Sequence, residues 1–181
     1  MIITNNKIMK LTQFSAKAII LTFIFIFLKA SVCDAQAQVK QLWGMTSTGG
    51  QYGGGTIFKT DSSGNNQSVE YNFVVQNEGA KPQYTQLTEA SDGKLYGMTT
   101  SGGANNKGVL FQYDPTTSVC TKKLDFAGTT NGANPTGSLI QASDGKLYGM
   151  TNTGGANNKG TLFQYDFVTS IITKKLDFTG T

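Results

Sequence analysis

After Gln38 the apolar positions fall in short runs rich in β-branched and aromatic residues, cut by Gly, Asn-Gly and Asp-Gly pairs. Such runs are strand and hairpin signals. No stretch beyond Gln38 shows a 3.6-residue apolar period with helix caps. Within Lys94–Ala142 the pattern predicts four strands. "KLYGMTT" (Lys94–Thr100) is ended by the Gly102-Gly103 doublet, and "VLFQYD" (Val109–Asp114) is stopped by Pro115. "VCTKKLDF" (Val119–Phe126) and "SLIQA" (Ser138–Ala142) complete the set, the last closed by Asp144-Gly145.

The pattern then repeats. "SDGKLYGMT" stands at Ser91–Thr99 and again at Ser143–Thr151, an offset of 52 residues. At the same offset "GGANNKG" (Gly102–Gly108, Gly154–Gly160), "LFQYD" and "TKKLDF" recur. A fainter copy comes first: "LWGMTSTGG" at Leu42–Gly50, "GGTIFKTD" at Gly54–Asp61 and "EGAKP" at Glu78–Pro82 match "LYGMTTSGG", "KGVLFQYD" and "NGANP". A period near 50 residues marks a solenoid, a propeller or an array, and four strands per unit is one propeller blade. The expected fold is all-β: a partial β-propeller of about three four-stranded blades. The units are 38–90, 91–142 and 143–181, the last incomplete because "SLIQA" has no counterpart after "KKLDFTGT". An unfinished blade exposes backbone groups that recruit other chains, so self-association through open blade edges is expected.

The N-terminal pattern differs. Lys7, Lys10 and Lys17 precede the apolar run "AIILTFIFIFL" (Ala18–Leu28), too short to span a ~30 Å hydrocarbon core comfortably. Ala35-Gln36-Ala37 then offers an A-x-A cleavage site. Residues 1–37 read as a signal peptide, the mature chain starts near Gln38, and the protein is secreted or on the cell surface. Membrane contact is expected only through this segment.

Composition narrows the chemistry. The chain holds no His, and its 15 basic residues are all Lys. That excludes a Ser-His-Asp triad, a Cys-His pair and a His-based zinc site within it. The formal charge of +4 misleads, because beyond Ala37 there are 11 Lys against 10 Asp and Glu. No clustered basic face speaks for nucleic acid. Cys33 leaves with the signal, and Cys120 aligns with Ile172, so it reads as a small buried hydrophobe. No cofactor, metal site or catalytic residue is predicted.

"LYGMTxxGG…G.LFxYD" resembles the GloVer repeat family, tandem repeats of bacterial surface proteins. The doublet followed by "YDPTTS" is similar to kelch blades, and "SDGKLYGMT" to the blade openings of periplasmic sensor propellers. The resemblance runs from Gln38 to Thr181 and implies an exported repeat protein without assigned chemistry. Anchors follow the repeats in that family; none is expected after the last copy here.

Candidate ligand contacts follow from the repeat. Asn105, Asn106 and Lys107, with Asn157, Asn158 and Lys159, could hydrogen-bond a glycan. Equally, Gly and Asn supply the positive-φ turns such loops need. Trp43, Tyr96 and Tyr148 share one repeat position; they form a stacking ring for sugars or, as large aromatics do, pack between blades. Asp92 and Asp144 open Asp-Gly turns, one carboxylate per unit, too few for calcium. The two best copies differ mainly by apolar swaps, which speaks against a catalytic residue unique to one unit. The reading is a non-catalytic exported module that binds a glycan or a surface protein. The alternatives are a fragment of a propeller carbohydrate-active enzyme and a structural spacer.

Overall fold

The computed structural model describes residues 40–75 and 78–180. The segment read as a signal peptide, 1–37, lies outside them. The described residues contain no helix long and apolar enough to cross a membrane; they form three antiparallel sheets. The first holds β1 (Leu42–Thr46), β2 (Thr56–Thr60) and β3 (Ser68–Asn72) in that order. The second holds β4 (Thr88–Glu89), β5 (Leu95–Thr99), β6 (Val109–Asp114) and β7 (Val119–Asp125). The third holds β8 (Ala133–Pro135), β9 (Ile140–Gln141), β10 (Leu147–Thr153), β11 (Thr161–Asp166) and β12 (Ile171–Asp177), with β8 and β9 both on β10.

Strand assignment corrects one expectation. "SLIQA" was expected to close the unit before it. Instead Ile140–Gln141 pairs with Leu147–Tyr148 of the next sheet, and Thr88–Glu89 pairs with Leu95–Tyr96 in the same way. The reason is local. The Asp144-Gly145 turn, with Gly145 N–H donating to Ala142 O at 2.9 Å and Ala142 N–H to Lys146 O at 2.9 Å, folds the two segments into a hairpin. Closing so short a loop costs less entropy than returning across the whole sheet. The third sheet therefore has its hairpin partner. The shortest sheet among the described residues is the first.

Each sheet repeats the same internal device. Gly97 of β5 faces Phe111 of β6, as Gly44 faces Phe58 and Gly149 faces Phe163. The tip of the ring closes on the glycine: a Cβ on Gly97 would stand 2.5 Å from the Phe111 Cζ. Next to each of these phenylalanines the register slips by one residue, between Leu110 and Phe111, Leu162 and Phe163, and Ile57 and Phe58. A bulge of this kind sharpens the local twist of a sheet.

The core lies between sheets. One cluster joins Ile57 and Phe73 of the first sheet to Leu95, Phe111 and Tyr113 of the second. The other joins Tyr96, Met98, Leu110 and Phe126 to Leu139, Leu147, Phe163 and Tyr165 of the third. These are the same contacts one repeat apart. Phe111 meets Phe73 at 5.1 Å between ring centroids, and Phe163 meets Phe126 at 5.4 Å, both edge-on. Cys120, opposite Tyr113, packs against the first cluster.

Gly97→Ala should lower stability by about 1–3 kcal/mol, the cost of overpacking a filled site. Urea denaturation would measure it. In a cycle with Phe111→Leu the two changes should be strongly non-additive, because the smaller side chain vacates the space a Cβ needs. Additive losses would show that ring and glycine do not interact as described.

Candidate functional site

The loops between the first two long strands of each sheet carry the candidate asparagines and lysines. Asn106, at φ 51°, accepts from Gly102 N–H at 3.1 Å, and Asn158, at φ 53°, accepts from Gly154 N–H at 3.0 Å. Asn105 Nδ2 donates to Phe126 O at 3.0 Å, and Asn157 Nδ2 to Phe178 O at 3.2 Å. Asn tolerates the left-handed region and bonds its own backbone, which is what such a turn requires. Lys107 Nζ donates to Ala127 O at 3.2 Å, and the Lys159 side chain lies over Gly180. The loop then ties to the outer strand, since Ala104 N–H donates to Asp125 Oδ1 at 2.8 Å and Ala156 N–H to Asp177 Oδ1 at 2.9 Å.

The aromatic position is not a continuous ring of exposed faces. Trp43 packs on Tyr113 of the next sheet at 5.5 Å, and Lys59 Nζ sits 5.5 Å over its ring. Tyr96 is buried against Tyr165 at 6.4 Å and Phe167 at 5.6 Å. Tyr148 is half-buried. Both tyrosine hydroxyls donate 2.9 Å to an aspartate four residues earlier, Asp92 and Asp144. Burial, followed by the bond to Asp92, pushes the Tyr96 phenol far above its ordinary range.

Two features escaped sequence reading. The "EGAKP" and "NGANP" segments clasp neighbouring sheets. Asn134 N–H donates to Lys107 O at 2.8 Å, its Nδ2 donates to Thr100 O at 2.9 Å, and its Oδ1 accepts from Thr153 Oγ1 at 2.8 Å. Lys81 N–H makes the matching bond to Gly54 O at 2.9 Å. The signal was present as a second Pro-containing repeat, but it looked like a loop. The second feature is Tyr84. It is 82% exposed and sits at φ 57°, a left-handed backbone that a bulky side chain rarely adopts. One repeat later the same place is Gly137, at φ 84°. The two positions touch, for Gly137 N–H donates to Tyr84 O at 2.8 Å. Only a comparison of the copies against backbone angles singles out this tyrosine.

The carboxylates are fastened rather than poised. Asp114 accepts from Thr116 and Thr117 N–H, Asp166 from Val168 and Thr169 N–H, and Asp144 from Lys146 N–H. These amides hold all three carboxyls below their ordinary value of 3.8. Lys174 Nζ, 2.8 Å away, and the Ala156 amide do the same for Asp177. A general acid needs the opposite, a carboxyl raised toward neutrality. Burial, then the charge of Glu78, pushes the Cys120 thiol up to about 12, so it is a weak nucleophile. Among the described residues no three His, Cys, Asp or Glu side chains converge on a metal position.

Three like sheets, joined by one repeated interface, define an all-β tandem-repeat protein. The chain belongs to the Gloeobacter/Verrucomicrobia repeat family, whose profile matches residues 7–181. No curated protein matches it. Among solved structures, TolB from Acinetobacter baumannii is similar over 70% of this chain and 27% of its own, at 19% identity and a TM-score of 0.46. A puromycin-hydrolyzing peptidase from Mycobacterium tuberculosis is similar over 75% of this chain and 19% of its own, at 14% identity and a TM-score of 0.46. The chain thus spans about a quarter or less of either protein.

The fastened aspartates set a direction for acid stability. Each has a folded pKa below its unfolded value, so its contribution is full above that value and is lost as pH falls through the folded one. The melting temperature should stay level from about pH 8 to pH 5 and begin to fall below about pH 4. Circular dichroism melts across that range would check it. A melt unchanged down to about pH 2 would show that these bonds do not hold the loops.

Proposed function

We propose that the protein is an exported, non-catalytic module of propeller-like blades that binds a glycan at the surface around Tyr84. The blade reading is supported by three successive antiparallel sheets that meet through one repeated contact set. Export is supported by the lysine-flanked apolar run and the Ala35-Gln36-Ala37 pattern. A non-catalytic role is supported by carboxylates held ionised by backbone amides.

The binding reading rests on Tyr84. A tyrosine kept in a strained left-handed conformation, at a place where the next copy uses glycine, carries a cost that packing does not repay, since the side chain is almost fully exposed. Strain of this kind concentrates at functional positions. Its sequence neighbours Gln83 and Gln86 are neutral amides that donate and accept. An aromatic plate flanked by uncharged hydrogen-bonding groups suits a sugar ring, which has apolar C–H faces and hydroxyl edges. On this reading Asn105, Asn106, Asn157 and Asn158 serve the turns, Trp43 and Tyr96 serve the stacking of blades, and Lys107, Lys159 and Tyr148 remain available at the surface.

A glycan array probed with the full chain and with Tyr84→Gly tests the reading. The variant should match or exceed the parent in stability, because glycine relieves the strain, by about 0.5–1 kcal/mol. It should also lose glycan binding. Equal binding by both chains would remove Tyr84 from the site. An array negative for both would turn the reading toward a protein partner or a spacer.

A further inference from the structure

We propose that the glycan bound at Tyr84 is acidic, its carboxylate or sulfate held by the Lys81 ammonium while the sugar ring stacks on the tyrosine. The inference rests on the reading that Tyr84 binds a glycan, and it names the class of glycan.

Lys81 and Tyr84 stand in the linker between the first and second sheets. Lys81 N–H donates to Gly54 O at 2.9 Å, in the loop of the first sheet. Lys81 O accepts from Thr100 N–H at 3.1 Å and Thr100 Oγ1 at 2.8 Å, just past the end of β5. The place is therefore a seam between two described sheets. Further repeats would add sheets before the first or after the third and leave this seam as it is.

The same linker recurs between the second and third sheets, and the two copies differ where they are exposed. Asn134 replaces Lys81, and Gly137 replaces Tyr84. All four backbones are left-handed, at φ 56° for Lys81, 57° for Tyr84, 51° for Asn134 and 84° for Gly137. Asparagine and glycine enter that region at little cost, lysine and tyrosine at more. Packing does not offset the cost, because Lys81 and Tyr84 are both exposed. Among the described residues the Lys81 ammonium has no hydrogen-bond or ion-pair partner. The first linker is also longer. Leu87 follows Pro82 by five residues, whereas Leu139 follows Pro135 by four. Both leucines reach the glycine of their sheet: a Cβ would stand 3.2 Å from Leu87 Cδ2 on Gly97 and 2.8 Å from Leu139 Cδ2 on Gly149. The extra residue thus falls between Tyr84 and Leu87, and the packing beyond it is kept.

Charge selects the ligand. From Gly79 to Thr88 Lys81 is the one charged residue, and the counterpart Gly132–Ile140 has none. The Glu78 carboxylate, just before, is engaged by the Tyr71 hydroxyl. An ammonium without a partner favours an anion. The chain from Lys81 to Tyr84 spans at most about 11 Å, and Gln83 N–H, donating to Lys81 O at 2.7 Å, shortens it. Ring and ammonium are therefore within reach of one mono- or disaccharide. Gly137 keeps room beside them: its N–H donates to Tyr84 O at 2.8 Å, and a Cβ on it would meet nothing within 4 Å.

The test applies the full chain, in mild detergent that shields the N-terminal apolar run, to a dilution series on an array of neutral, uronate and sulfated oligosaccharides. Binding should be confined to the acidic members, and the set that responds, uronate or sulfated, identifies the anion. Lys81→Asn should weaken it at least about threefold, and Lys81→Arg should keep it. The difference between parent and Lys81→Asn should vanish as NaCl rises from about 0.05 M to about 0.5 M. Lys81→Asn should melt at or above the parent, because asparagine accepts the left-handed backbone. Neutral members bound as well as acidic ones, or binding indifferent to Lys81→Asn, would overturn the acidic class. The glycan reading itself would still stand if Tyr84→Gly abolished that binding. An array negative throughout overturns both. A Lys81→Asn melt well below the parent's would assign the lysine to the fold and overturn the proposal.

Discussion

A phenylalanine ring closed on a glycine organises this molecule. Gly97 has no side chain on the face where Phe111 arrives, so the tip of the ring takes the space that a Cβ would fill. Its far edge then reaches Phe73 of the preceding sheet, as Phe163 reaches Phe126. Sheet formation and sheet stacking are thereby one event. Each buried phenylalanine contributes about 1.5–3 kcal/mol of apolar burial, and it does so only when two neighbouring repeats are both folded.

The legible part of the fold was the part written twice. "LYGMT", "LFQYD" and "TKKLDF" became the three long strands of the second and third sheets because period, turn residues and repetition all agreed. The assignment of "SLIQA" was not legible, since a two-residue strand such as Ile140–Gln141 carries too little pattern to say which side it pairs with. Its partner is decided by the tight Asp144-Gly145 turn. The clasp made by Asn134 was hidden for another reason: its bonds run from the third sheet back to Thr100 and Lys107 of the second, a crossing between sheets inside one sequence repeat that spacing does not reveal. Of the candidate contacts, the asparagines show in the structure the turn geometry that their composition allowed. The aromatics divide: Trp43 and Tyr96 pack on the next sheet, while Tyr148, with no described sheet beyond it, stays half-open.

A repeat protein shows its function where its copies disagree. Agreement among the three sheets is explained by packing, from the glycine-phenylalanine pair to the Asp turns. The informative positions are Tyr84 against Gly137, Val69 against Lys122 and Lys174, and Thr60 against Tyr113 and Tyr165. A fourth is Glu70. It accepts from the Tyr113 hydroxyl at 3.4 Å, while Lys123 stands at the same place one repeat later, where the buried Tyr165 hydroxyl finds no such acceptor among the described residues.

The central claim is that stability resides in the interfaces between sheets, so that the sheet packed on both faces is the most stable. Native-state hydrogen exchange, at a concentration where the chain is monomeric, tests this most directly. In a stack governed by nearest-neighbour terms, the amides of β6 should exchange slowest, and those of β2 and β11 measurably faster. Equal protection in all three, or greatest protection in an outer sheet, would mean that each sheet is stabilised from within and would contradict the account.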